Sequence, residues 1–195
     1  MSYELKRPLS EQDIHQILSA ILDSLPSDSP GANFGRSAGT AQLATVAEVN
    51  RAADVSTRLI AAGSTLAVTE ALHDGKTIKL DTATGSVCTL PAATGSGARF
   101  RFVVHTLATS NSHIVKVTGN DVMYGFALVA QDGGDTSVMF ETGADSDTIT
   151  LNRSTTGSTQ KGETIEVEDI AADVWAVRVI VAATGTEATP FSATV

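Results

Sequence analysis

The chain has 195 residues, a formal charge of −9 and 42% apolar residues, enough for one substantial core and an appendage but not for two large domains. No apolar run approaches the roughly 18 residues of a spanning helix, and the leading MSYELKRPLSEQD carries no apolar signal core, so neither a membrane nor a secretory leader is expected. Acidity grows along the chain, from five Lys/Arg against seven Asp/Glu in residues 1–62 to eight against fifteen in 63–195. With only the pair Lys6-Arg7 as a basic cluster, nucleic acid is excluded as a partner.

In chain order, the first predicted element is a helix over Ser10–Leu25. Ser10 can cap it, Asp13 favours its positive end and Pro26 stops it. Ile14, Ile17, Leu18, Ile21, Leu22 and Leu25 share one face, and Glu11, Gln12, His15, Gln16, Ser19 and Asp23 cover the other. So short a helix is marginal alone in water and needs a surface: its own body, its copies in an oligomer, or a partner's groove. The linker Pro26–Ala44, rich in Pro, Gly and Ser, reads as extended, so residues 1–44 form an arm. A capping box, Thr45-Val-Ala-Glu48, opens a second short helix in a connector over 45–62.

From residue 63 to 195 the pattern becomes β. In Thr89–Val104, TLPAATGSGARFRFVV, a Gly/Ser turn leads into Phe100, Phe102 and Val104 alternating with Arg99, Arg101 and Val103, the period-two mark of a half-buried strand. Strands are predicted at 65–70, 77–80, 86–90, 98–105, 114–118, 122–131, 136–141, 148–152, 164–168 and 174–182, separated by turn clusters such as HDGK, TATG, TGND and QDGGD. The expectation is a mainly β body, an antiparallel β-sandwich or jelly roll with a short N-terminal helical arm. Two strands are apolar on both faces. In 122–131, Val122, Tyr124, Phe126 and Leu128 oppose Met123, Ala127 and Val129; in 174–182, Trp175, Val177, Val179 and Val181 oppose Ala176, Ile180 and Ala182. The surplus face lies under another segment or at a subunit interface, and Met123, Ala127, Val129, Ala176 and Ile180 are its expected residues.

Motifs for chemistry are missing. The four histidines have no HxH or HExxH spacing, and no nucleophile elbow, phosphate loop or dinucleotide fingerprint occurs. Cys88, the one cysteine, reads as a small core residue, with no CxxC partner. Asp132 and Asp135 in one turn and Asp145 and Asp147 in the next are separated by a strand of roughly 20 Å, too far to share a Ca²⁺ or to act as a glycosidase pair. No catalytic residue, metal or cofactor is expected.

The segments TVAEVNRAADVSTRLI (45–60), TEALHDGKTIKLDTATGSVCTLPAATGSGARFRFVV (69–104), DTITLNRSTTGSTQKGETIEVEDIAADVWAVRV (147–179) and ATGTEATPFSATV (183–195) resemble virion structural proteins of tailed bacteriophages, of the head decoration (cement or head-fibre) type. The resemblance covers about residues 45–195 and leaves 1–44 unmatched. It implies a homotrimeric β knob, made in the host cytoplasm, that binds the major capsid protein on the outer surface of the head. The competing expectation is a receptor- or glycan-binding module of a phage fibre.

Overall fold

The computed structural model describes residues 58–133 and 136–194, together with Gln12 and Gln16, both helical and exposed. The expected arm residues Ile14, Ile17, Leu18, Ile21, Leu22 and Leu25, the linker and the capping box lie outside the described residues. Two compact units divide the chain, Met1–Asp54 and Val55–Val195. The described part of the second is mainly β.

Among the described residues, twelve strands run in order: β1 (Leu59–Ala61), β2 (Thr65–Ala67), β3 (Thr77–Leu80), β4 (Val87–Thr89), β5 (Arg99–Val104), β6 (His113–Lys116), β7 (Val122–Ala130), β8 (Ser137–Glu141), β9 (Thr148–Leu151), β10 (Thr164–Ala171), β11 (Val174–Ala182) and β12 (Phe191–Ser192). A short helix, α1 (Glu70–His73), was not expected; it begins at Glu70, the last residue of the strand predicted at 65–70. Its His73 Nδ1 lies 3.0 Å from both the Thr69 amide and the Thr69 carbonyl, tying the single turn to the residue before it.

The strands form two mixed sheets. The larger, sheet A, has the order β1-β3-β5-β10-β11-β7-β8, and the smaller, sheet B, β12-β9-β6-β4-β2. This corrects the antiparallel expectation. β1, β3 and β5 are parallel neighbours, as are β2, β4 and β6, and β7 lies parallel to β11. Parallel neighbours require a crossover, and here a strand of the other sheet provides it. The chain passes from β1 in sheet A to β2 in sheet B and back, completing two such circuits by β5 before crossing again to β6. Hairpins then enter sheet A: β7–β8 and β10–β11 pair antiparallel.

Register explains the core. One inward row crosses all of sheet A as Ile60, Ile78, Phe102, Ile165, Val179, Ala127 and Phe140. Its counterpart in sheet B is Leu66, Cys88, Val115, Ile149 and Phe191. Residues of both rows belong to one hydrophobic cluster, so neither sheet has an independent core. Trp175 is its largest fully buried side chain, with its ring centroid 5.9 Å from that of Phe100.

Candidate functional site

The inner and outer faces of sheet A carry different chemistry. Inside, polar groups are few and tightly held. Asp121 accepts the Ala93 amide at 2.7 Å and the Trp175 indole N–H at 3.3 Å. Asp169 accepts the amides of Thr94 at 2.9 Å, Gly95 at 2.7 Å and Ser96 at 3.0 Å, and the hydroxyls of Thr94 and Ser96. Desolvation works to raise its pKa, but those donors outweigh it and hold the carboxyl at about 2. The Gly/Ser turn before β5 is thus pinned by carboxylates distant in the chain, Asp169 of β10 and Asp121 just before β7. Glu163 does the same for the Ser158, Thr159 and Gln160 amides.

His113 is wholly buried. Its Nδ1 accepts the Ser86 amide at 3.0 Å, so Nε2 donates to the Thr106 carbonyl at 2.8 Å. Desolvation lowers its pKa against the smaller upward pull of the Thr106 carbonyl and of Glu163 and Asp81. The Ser86 hydroxyl, also fully buried, has no hydrogen-bond partner. This serine and histidine have no open surface between them, so no substrate reaches either. Cys88 is buried as expected, and desolvation followed by the charge of Asp81 pushes its thiol up to about 12, far from a thiolate nucleophile. Among the described residues, no cluster of His, Cys, Asp or Glu could hold a metal ion, and no helix is long and apolar enough to cross a membrane.

The outer face of sheet A is where large side chains meet solvent. Register aligns Arg101, Glu166, Arg178, Phe126 and Glu141 in one row. A flanking row holds Arg99, Glu168, Ala176 and Tyr124, and the other holds Lys79, Val103, Thr164, Ile180, Leu128 and Met139. The charged ends pair across strands: Arg99 Nη2 to Glu168 at 2.7 Å, Arg178 Nη1 to Glu166 at 3.4 Å, and Arg101 Nε to Glu166 at 3.7 Å. Over them lies a cavity of about 570 Å³ whose lining includes Arg99, Arg101, Glu166, Glu168, Ala176 and Arg178. The other end of the face is apolar. Met139 is 61% exposed, Ile180 51%, Tyr124 47% and Phe126 40%, beside half-buried Leu128.

This placement divides the five expected interface residues. Met123, Ala127 and Val129 have no accessible surface. They point into the core and have nothing left to offer a second subunit, so their interface role is corrected. Ile180 and half-buried Ala176 lie on the outer face, and their neighbours there are Tyr124, Phe126, Leu128 and Met139. Alternation showed that β7 and β11 each carry two apolar faces, but not which face the other sheet would cover. The charge ladder was legible strand by strand, in Arg99/Arg101, Glu166/Glu168 and Arg178. Only the register makes those residues neighbours.

β7 and β11 also approach unusually closely at Gly125. A Cβ there would stand 1.8 Å from the Val177 carbonyl oxygen, so only glycine fits. Comparison with protein-family models, characterised proteins and solved structures finds no match to this chain.

Proposed function

We propose that this protein is a non-enzymatic virion component of the tailed-phage head-decoration type, assembled as a homotrimer on the outer surface of a capsid and bound to the major capsid protein. In this reading the two sheets are the layers of a β-sandwich. Its parallel pairings set it apart from a jelly roll, whose strands pair antiparallel. The sequence resemblance supports the setting. The observation that carries the assembly role is the apolar outer row Ile180, Leu128 and Met139 beside Phe126.

Burying a large apolar side chain is worth about 1.5–3 kcal/mol, so a few such residues on each copy suffice to nucleate a subunit contact. They lie beside β8, the edge strand of sheet A. An exposed edge with an apolar face invites pairing with another chain, and a homotrimer uses that tendency. Shell attachment falls to the leading arm, through Ile14, Ile17, Leu18, Ile21, Leu22 and Leu25. Many copies on a symmetric lattice gain from effective concentration.

The test is co-sedimentation with DNA-filled phage heads. The full chain pellets with heads, whereas a chain lacking residues 1–44 keeps its far-ultraviolet β signature and stays in the supernatant. Truncated protein that still coats heads removes the anchoring role from the arm. A full chain that ignores heads removes the capsid reading.

A further inference from the structure

The outer face of sheet A is divided along its length into two unlike ends. On β3 and β5 the outward side chains include Lys79, Arg99 and Arg101, and neither strand carries an acid. On β7 and β8 they include Tyr124, Phe126, Met139 and Glu141, and neither strand carries a cation. Ile180 of β11 flanks this second end, beside Leu128. The ends also differ in shape. The cavity of about 570 Å³ is lined by Thr77, Arg99 and Arg101 and by residues of β10 and β11, but by none of β7 or β8. Tyr124, Phe126 and Met139 stand outside it, exposed by 47%, 40% and 61%. Within one chain the two ends do not meet. Arg101 and Phe126 share a row, but Glu166 and Arg178 stand between them, and three strand spacings of about 4.8 Å keep them roughly 14 Å apart. Arg101 pairs with Glu166 at 3.7 Å, both side chains about half exposed, and so long a pair constrains it weakly.

A cyclic trimer closes through a heterologous contact, in which two different patches of neighbouring copies fit together, whereas a patch that fits only itself gives a two-fold dimer. The apolar end is one half of such a contact. We propose that the basic end of the next copy is the other half: Tyr124 and Phe126 of one subunit seat in the recess of its neighbour, against Arg99 and Arg101. This rests on the homotrimer reading and names the second surface that reading needs. A guanidinium stacks on an aromatic face, and the aliphatic stems of arginine and lysine cover apolar neighbours such as Met139. Glu141, opposite Phe126 in its row, then comes among the cations Lys79, Arg99 and Arg101. Like meeting like is poorer. Two basic ends repel, and two apolar ends leave both recesses empty and close no ring.

The experiment mixes two broken halves of the full-length chain. Arg101→Glu spoils the basic end and leaves the apolar end intact, and Ile180→Asp does the reverse. By light scattering each alone is expected at one chain mass, and the milder Arg101→Ala as a trimer that dissociates about tenfold more readily. An equimolar mixture of the first two is expected to reach two chain masses and no more, because one sound contact remains between the unlike variants and no ring can close. The mixture is measured at about tenfold higher concentration, since an open pair lacks the effective concentration of a closed ring. Both residues are about half exposed, and unchanged far-ultraviolet spectra and urea midpoints check that the variants fold. An Arg101→Glu chain that stays trimeric assigns the recess to some partner other than a sibling and overturns the proposal. So does a mixture that stays at one chain mass. Either result beside a wild type of three chain masses leaves the trimer standing, whereas a wild type of one chain mass removes both.

Discussion

Val179 and Ile180 are adjacent in β11, equally greasy, and meet opposite fates. Val179 stands in the inward row between Ile165 and Ala127, with no accessible surface. Ile180 stands in the outward row between Thr164 and Leu128, half exposed. A strand turns each successive side chain to the other face, so the same apolar content builds a core on one side and an unsatisfied surface on the other. The inner face of sheet A is covered by the shared core. The outer face divides into a charged groove and an apolar end, and the apolar end is the surface we assign to sibling copies.

The largest effect expected from this contrast comes from a charge placed on its inner side. Val179→Asp buries an unpaired carboxylate and should cost more than about 4 kcal/mol, leaving the protein unfolded or insoluble by denaturant titration. Next is Gly125→Ala. The added Cβ would collide with the Val177 carbonyl, and spreading β7 from β11 should cost about 3 kcal/mol, read as a lower urea midpoint. A value near zero would mean that the two strands are not held as closely as described.

A smaller effect is expected from pH, and it again separates the faces. His113 is neutral in the core, with its pKa lowered mainly by desolvation. The unfolded chain therefore takes up a proton first, and stability is lost as pH falls below about 6.5. Asp169, held at about 2, adds stability that is complete above its unfolded value of about 4 and is lost as pH falls toward 2. Thermal midpoints should decline in those two windows. His113→Gln should flatten the first, and Asp169→Asn the second. Outward charges should matter least. Arg99→Ala breaks an exposed pair with Glu168 and should change stability by less than about 1 kcal/mol.

The elements themselves were legible. The expected strands at 77–80 and 174–182 match β3 and β11 end to end, and most others match within a residue or two. Alternation of Phe100, Phe102 and Val104 with Arg99 and Arg101 gave the inward face of β5. What could not be read was who neighbours whom. Short strands separated by Gly/Asp turns look alike whether the next strand is an antiparallel partner or belongs to the opposite sheet. Hence the parallel circuits β1–β3–β5 and β2–β4–β6 were missed. The same gap hid the charge ladder and led to Met123, Ala127 and Val129 being placed on an interface instead of in the core. The role of Asp169 was equally invisible, because its partners Thr94, Gly95 and Ser96 are distant in the chain. The two-residue strand β12 is too short to leave a periodic signal.

The measurement closest to the central claim is the solution mass of the wild type beside that of Ile180→Asp, by light scattering at micromolar concentration. The account predicts three chain masses for the wild type. It predicts one for the variant, with a denaturation midpoint unchanged to within about 0.5 kcal/mol, because Ile180 supports association and not folding. A wild type that runs at one chain mass, or a variant that remains trimeric, would contradict it.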